Sequence, residues 1–376
     1  MNLHSNLSVE YETQILDGKT GAVISRRPAK RNLLLDSGLD GIATRSYWHA
    51  FTHCVLGSGT TPTKRDSGAA TVSISGAVAT ASANFFEAAD VGRLLKLDSG
   101  QEVYISAYTS ETVVSVDGAE DEAASEFTIW YVDELGHQNE LIRTNTLGTD
   151  SGDVSSNWNG SRVEHKRTFI FPVESTSRTY REIGWSHTWT AGGNLLGRDL
   201  IPGGGDSIAA GQQYKVVVRL RIVVSPVTPL VVGDVGNNCD TAGTAIVATV
   251  NNAFRAASNA PGFNSTFHVF EPSTSVPEIW LRTAAYTQET ATITGSLGMS
   301  GNFNERTPSI DSYQSKSFEK IYRTTYPTTQ GNGTIHGVGF GRSMNFDLKF
   351  DTPLTKDSDH TLTFVFRLSW GRTLIN

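Results

Sequence analysis

The stretch Val163-Glu-His-Lys-Arg-Thr-Phe-Ile-Phe-Pro-Val173 is echoed 155 positions later by Phe318-Glu-Lys-Ile-Tyr-Arg-Thr-Thr-Tyr-Pro-Thr328. The match extends without a gap over Ser156–Ser186 and Asp311–Gly341. Both copies consist of strand-like blocks that keep their order along the chain. The pattern therefore predicts that a β unit occurs twice in the chain.

A second matching block supports the same prediction. After a loop that is seven residues shorter, Tyr214–Ile222 matches Leu362–Trp370 and pairs Arg219 with Arg367. Three strand-like blocks thus keep their order, which favours duplication of the unit that contains them. Exact identities are few, so chance similarity is the alternative.

Composition favours a chain made mainly of β-strands. The 376 residues include 36 glycines, and charged residues make up 18%, below the roughly 25% of an average globular protein. Hydrophobic residues make up 38%, enough for packed cores. We predict tandem antiparallel β-sandwich domains of jelly-roll or Greek-key type with a small inserted β-roll.

Changes in composition along the chain divide these domains. We assign 1–65 to the first part of a β-sandwich and 66–120, rich in small residues, to the inserted β-roll. The acidic tract that begins near Asp117 then leads back to the rest of the sandwich at 121–226. A second, duplicated sandwich occupies 227–376.

Four local elements are predicted with defined bounds. Strands are expected at Leu7–Leu16, with a turn at Asp17-Gly18, and at Tyr47–Leu56. Helical spacing of leucines predicts a short helix over Asn32–Ala43. Strict alternation predicts a final hairpin that joins Met344–Phe350 to Leu362–Leu368. Periodicity leaves open whether Thr241–Arg255 forms a helix or a strand.

Charge argues against nucleic acid or an anionic membrane as the main partner, because the formal net charge is −7. The basic cluster is confined to Arg26, Arg27, Lys30 and Arg31. A solvated loop is the favoured interpretation of this cluster, and a contact with an acidic neighbouring subunit is the alternative. The predicted assembly is a ring or trimer of this chain with contacts in residues 1–31.

Two cysteines, Cys54 and Cys239, cannot form a disulfide framework, which is consistent with synthesis in a reducing compartment. The N-terminal residues lack the charged leader and apolar core of a secretory signal. No run of 18 apolar residues predicts a membrane-spanning helix.

No catalytic or cofactor motif is visible, and we predict no enzyme activity, cofactor or metal. His49, His53 and Cys54 are close in sequence. On a strand, however, the two histidines would be about 13 Å apart, too far to share one ion. The acidic residues near Glu120 lie in a tract expected to be solvated, whereas a glycosidase needs two carboxyls across a cleft.

Exposed aromatic residues could stack on sugar rings. The candidates for glycan contact are Trp158, Trp189 and Tyr313. Aromatic residues at alternating positions more often belong to a core or a subunit interface, and this is the favoured interpretation.

Several blocks resemble tail-associated structural proteins of bacteriophage virions. They are Asn32-Leu-Leu-Leu-Asp-Ser-Gly-Leu39, the Gly-rich Val55-Leu-Gly-Ser-Gly-Thr-Thr-Pro62, Glu182-Ile-Gly-Trp-Ser186 and Asn194-Leu-Leu-Gly-Arg-Asp-Leu-Ile201. The tract Ala89-Asp-Val-Gly92 is similar to the small β-roll of phage fibre and tail proteins. These blocks cover about half of the chain, and the second repeat lacks the Asn-Leu-Leu-Gly-Arg block.

The resemblance implies a structural component of the virion, in the tail, collar or fibre-attachment region, made in the cytoplasm of the host bacterium. Its partners would be other copies of itself and neighbouring virion proteins, with host surface glycan as a further partner. The alternatives are a head decoration protein, a glycan-binding host-attachment protein and a depolymerase.

Overall fold

The computed structural model describes residues 2–44, 51–134, 137, 139–159, 162–188, 195–226, 230–232, 241–246, 279–282, 305–340 and 346–374. His49, Cys239, Trp189, Asn194 and most of Thr241–Arg255 lie outside these residues. The described chain is mainly β, as predicted, with one α-helix, α1 (Asp36–Thr44). None of the described helices is long and apolar enough to cross a membrane.

The strands before and within the insertion come first in the chain. They are β1 (Asn2–Asp17), β2 (Val23–Leu34), β3 (His53–Gly57), β4 (Lys64–Asp66), β5 (Val72–Ser75), β6 (Val78–Ala81), β7 (Leu94–Leu97), β8 (Glu102–Ser110), β9 (Val113–Asp117), β10 (Glu122–Ser125) and β11 (Phe127–Trp130).

The strands after the insertion complete the first half and form the second. They are β12 (Glu140–Thr144), β13 (Val154–Asn159), β14 (Arg162–Val173), β15 (Arg178–Tyr180), β16 (Glu182–Ser186), β17 (Gly197–Leu200), β18 (Asp206–Ile208), β19 (Gln212–Pro226), β20 (Leu230–Val232), β21 (Thr241–Ile246), β22 (Ile279–Arg282), β23 (Glu305–Arg306), β24 (Ser309–Ile310), β25 (Glu319–Tyr326), β26 (Gly333–Phe340), β27 (Phe346–Lys356) and β28 (Leu362–Arg372).

The predicted first hairpin is confirmed. β1 and β2 are antiparallel, and Asp17 accepts the N–H groups of Lys19 at 3.0 Å and Thr20 at 2.8 Å across the turn. Gly18 is required there because a Cβ would overlap the carbonyl oxygen of Gly211. The predicted helix over Asn32–Ala43 begins four residues later than expected, since Leu33 and Leu34 pair with β17 as the end of β2.

The first half folds as two layers linked by β2. The strand order is β12-β3-β16-β17-β2-β1-β19-β14-β13, and β2 pairs with β1 before its last residues reach β17. Side chains from both layers share one core, in which the rings of Phe169 from β14 and Trp185 from β16 are 6.2 Å apart. Burial of these alternate residues is what stabilises the two-layer arrangement.

The insertion forms its own eight-stranded sheet between Lys64 and Trp130. Its ends are adjacent, because the N–H of Tyr131 donates to the carbonyl oxygen of Thr63 at 3.0 Å. The sheet continues beyond the predicted range 66–120, since Phe127 and Ile129 point into the insertion core and β11 pairs with β7. The acidic tract before β11 therefore contains strand β10 and does not lead directly back to the sandwich.

The strand order of the first half recurs in the second. The series β23-β22-β26-β27-β21-β20 follows the same sequence order as β12-β3-β16-β17-β2-β1. Likewise β24-β25-β28 corresponds to β13-β14-β19. All these corresponding neighbours are antiparallel.

The pairing register recurs as well. Glu164 lies opposite Arg221 in the first half, and Glu319 lies opposite Ser369 in the second. The sequence match relates Glu164 to Glu319 by a shift of 155 residues and Arg221 to Ser369 by a shift of 148 residues. The same faces are buried: Phe171 corresponds to Tyr326, and both rings lie in the core. A one-residue slip in pairing would have exchanged the buried and exposed faces of a strand, so the agreement in register is a strict test of the match between the two halves.

The predicted final hairpin is wrong. β27 pairs with β26 and β21, whereas β28 pairs with β25 and, in parallel, with residues Asn2–Leu7 of β1. Alternation reveals which side of a strand is buried but not which strand lies beside it. The turn near Asp357 therefore carries the chain from one sheet to another, and β1 joins the sheets of the two halves.

Candidate functional site

Three of the motif blocks meet at one buried carboxylate, Glu182. This residue lies in β16 with none of its surface exposed, on the side of the strand opposite Ile183 and Trp185. Arg198, in the neighbouring β17, is also buried, and its Nη2 and Nε lie 2.5 Å and 3.2 Å from Oε1 of Glu182. The blocks Glu182–Ser186 and Asn194–Ile201 therefore contribute the two halves of one ion pair.

The Gly-rich loop after β3 closes over this carboxylate. The N–H of Gly59 donates to Oε2 of Glu182 at 3.1 Å, and the carbonyl oxygen of Thr61 accepts from Arg198 at 2.8 Å. A Cβ on Gly59 would lie 2.5 Å from the carboxylate atoms, and one on Gly57 would lie 2.7 Å from Oε2. The glycines are therefore needed for close approach of the backbone.

His137 and Glu134 complete the arrangement, which we call the glutamate cluster (Glu134, His137, Glu182 and Arg198). Nδ1 of His137 lies 3.2 Å from Oε2 of Glu182, and Nη1 of Arg198 donates to Glu134. Burial raises the pKa of Glu182, but hydrogen bonds and charges from His137 and Arg198 outweigh it and lower the pKa to about 2. Burial likewise raises the pKa of Glu134, against the effect of Arg198.

The position of the glutamate cluster indicates what it does. The segments 57–63 and 131–139 are the two connections between the sandwich and the insertion, and both contact it. Beside it, Leu94 and Trp130 of the insertion pack on Leu33 and Leu195 of the sandwich. The paired charges and this apolar contact hold the insertion on the sandwich.

The N-terminal turn of α1 joins three parts of the chain through Asp36, from the first motif block. Its carboxylate accepts hydrogen bonds from Arg372 of β28 and, at 2.8 Å, from the hydroxyl of Tyr104 in the insertion. Nζ of Lys316 lies 3.4 Å from the other carboxylate oxygen. The sandwich, the insertion and the second half thus meet at this side chain.

Tyr313, a candidate for glycan contact, takes part in the same junction. Its hydroxyl donates to Asp40 of α1 at 2.6 Å, and its ring stacks on Trp370 with centroids 5.8 Å apart. The indole N–H of Trp370 donates to the carbonyl oxygen of Leu39 at 2.8 Å. Trp158 lies in β13 opposite Val163, and Trp189 lies outside the described residues.

The four basic residues that were candidates for a subunit contact lie on β2, and each has an acidic partner within the chain. The pairs are Arg26–Glu12 at 2.7 Å, Arg27–Asp206, Lys30–Asp199 at 2.7 Å and Arg31–Glu10 at 3.7 Å. Asp206 also accepts from Tyr214 and Thr13 at 2.6 and 2.8 Å. Much of the positive charge of the cluster is therefore balanced internally.

Of the histidine and cysteine candidates, His53 and Cys54 lie in β3, and His49 lies outside the described residues. His53 is buried, its Nδ1 is 2.8 Å from the hydroxyl oxygen of Thr52, and Cys54 lies in the core. Burial raises the pKa of the Cys54 thiol. Among the described residues, no group of three or more histidine, cysteine, aspartate or glutamate side chains is placed to hold a metal ion.

Sequence reasoning missed the residues that organise these sites: Glu182, Arg198, His137, Asp36 and Arg372. The motif blocks contain three of them, Glu182, Arg198 and Asp36. The available signal was a charged residue close to glycine in an otherwise apolar strand. A buried charge needs hydrogen-bonding partners, and glycine lets the backbone come close enough to supply them.

Comparison with known proteins does not assign this chain to a family. No protein-family model, curated protein or solved structure matches this chain.

Proposed function

We propose that this chain is a structural component of a bacteriophage virion, in the tail, collar or fibre-attachment region. It would assemble with itself and with neighbouring virion proteins, after synthesis in the cytoplasm of the host bacterium. The supporting observation is that the motif blocks that resemble phage tail proteins converge on buried, paired groups. Glu182, Arg198 and the glycines around them join parts of the fold.

The recurrent strand order gives independent support. We infer that the chain contains a duplicated β unit, because order and register both recur. Among the described residues, the insertion is seen in the first copy only. A repeated β unit suits a building block, although fold alone does not define function.

The state of the buried carboxylates favours scaffolding over catalysis. Glycoside hydrolysis needs one carboxyl to transfer a proton and another to act as nucleophile or base beside a sugar. Glu182 and Glu134 instead share Arg198, and Glu182 is closed in by the backbone of Gly59. We therefore propose that the protein has no enzyme activity and no cofactor.

Peptide mass spectrometry of purified phage particles tests the proposal. We expect peptides of this chain in particles banded by density, in a constant ratio to a known tail protein. A soluble factor that is not part of the virion would be recovered mainly from the lysate, and absence of the chain from the particles would refute the proposal. Release of reducing sugar from host envelope by the purified chain would favour the depolymerase alternative.

A further inference from the structure

β13 (Val154–Asn159) is the last strand of the sheet β13-β14-β19-β1, and its outer edge is the feature of interest. Among the described strands, β13 pairs with β14 alone, so one side of its backbone has no strand partner. Its sequence, Val-Ser-Ser-Asn-Trp-Asn, contains no proline and no charged residue. An uncharged edge of six residues is a template for adding another strand.

The edge of β2 shows how this chain protects a strand that must stay unpaired. Between Arg26 and Arg31 it has four basic residues and Pro28, and its register with β1 shifts at this point. Charge, proline and a bulge are the usual means of preventing strand addition. Pro28, the register shift and the partly exposed basic side chains therefore protect the edge of β2, although each basic residue also has an acidic partner. β13 lacks all three features.

The structure also indicates the partner of β13. The chain already extends a sheet across its two halves, where β28 adds to β1 over residues Asn2–Leu7. The strand that corresponds to β13 in the second half, β24, has only two residues, Ser309 and Ile310. A head-to-tail contact between β13 and β24 of successive copies would leave most of the edge unpaired.

A second β13 has the matching length, and antiparallel pairing about a two-fold axis closes the assembly. We propose that two copies of this chain associate through antiparallel pairing of their β13 strands. This deepens the proposed function, on which its biological role rests, by naming the surface through which copies contact one another. It moves that contact from residues 1–31 to residues 154–159.

Sedimentation velocity of the full chain over a range of concentrations tests the inference. We expect a monomer–dimer equilibrium that Asn157→Lys weakens by about fivefold or more, because it brings like charges together at the paired strands. Ser155→Glu adds the opposite charge to the same edge and should also weaken the dimer. The matched control is Ser25→Lys on the exposed part of β2, which should leave the equilibrium unchanged.

Melting temperatures close to that of the wild type establish that each variant is folded. A wild-type chain that remains monomeric at every concentration would overturn the inference. So would equal weakening by Asn157→Lys and Ser25→Lys. If the chain is a monomer but is present in particles, the β13 contact is refuted and the proposed function is not. If the chain is a dimer but is absent from particles, the proposed function is refuted and the β13 contact is not.

Discussion

Replacement of Glu182 by glutamine tests the structural role of the glutamate cluster. The change keeps the shape of the side chain but removes its charge, so buried Arg198 loses one of its two carboxylate partners and keeps Glu134 and the carbonyl oxygen of Thr61. The pKa of Glu182 falls from 4.5 to about 2 in the folded chain, which corresponds to about 3 kcal/mol at 1.36 kcal/mol per pKa unit. Loss of one partner from a buried ion pair costs about 3–5 kcal/mol. We therefore expect Glu182→Gln to lower the free energy of unfolding by about 3 kcal/mol.

Urea unfolding gives the global effect, and hydrogen exchange of peptides that cover 57–63 and 131–134 gives the local one. The matched control is Glu319→Gln. Its partner Arg367 lies 3.0 Å away, but their side chains are 32% and 46% exposed, so a loss below about 1 kcal/mol is expected. The double variant Glu182→Gln/Arg198→Met should recover part of the loss, because the fully buried guanidinium is removed together with the carboxylate, although Glu134 also loses its partner Arg198. A Glu182→Gln variant as stable as the Glu319→Gln control would refute the reasoning.

Other predictions follow from the same contacts. Acid should weaken the fold, because a lowered pKa makes the contribution of Glu182 complete above about pH 5 and lost as the pH falls towards 2; urea midpoints of the wild type and Glu182→Gln should converge over this range. Burial and Arg167 lower the pKa of His165 from 6.5 to about 4, so His165 should remain neutral at pH 5 in an NMR titration, and a midpoint near 6.5 would contradict its burial. Gly59→Ala should destabilise the chain by about 1–3 kcal/mol, since its methyl group would lie against the Glu182 carboxylate; a melting temperature equal to that of the wild type would contradict this. Residues 64–130 expressed alone should give a β-type circular dichroism spectrum and a cooperative melt, because their core is separate and their ends are adjacent; a random-coil spectrum would contradict this.

Much of the fold could be predicted from local patterns. Alternation in β28 correctly indicated a half-buried strand. The sequence match of β14 with β25 and of β19 with β28 agrees with the observed register. The same patterns failed for β27 and β28, because alternation does not specify the neighbouring strand. The predicted insertion, 66–120, overlaps the sheet that runs from Lys64 to Trp130. Phe127 and Ile129 could not be assigned to that sheet in advance, because alternation does not specify which sheet a strand joins.

The candidate sites were harder to predict because their contacts join distant parts of the chain. Arg198 meets Thr61, and Arg372 meets Asp36, across 137 and 336 residues. No local pattern contains such pairs. The basic cluster at Arg26–Arg31 was visible, but its acidic partners at Asp199 and Asp206 became apparent only from the fold.

The measurement that tests the account most directly is a three-dimensional density map of intact phage particles. The account predicts density for this chain in the tail, collar or fibre-attachment region, with two-layer β units resolved and neighbouring copies paired along residues 154–159. Isolated copies that do not touch would contradict the proposed contact. Particles with no density for this chain would contradict the virion assignment itself.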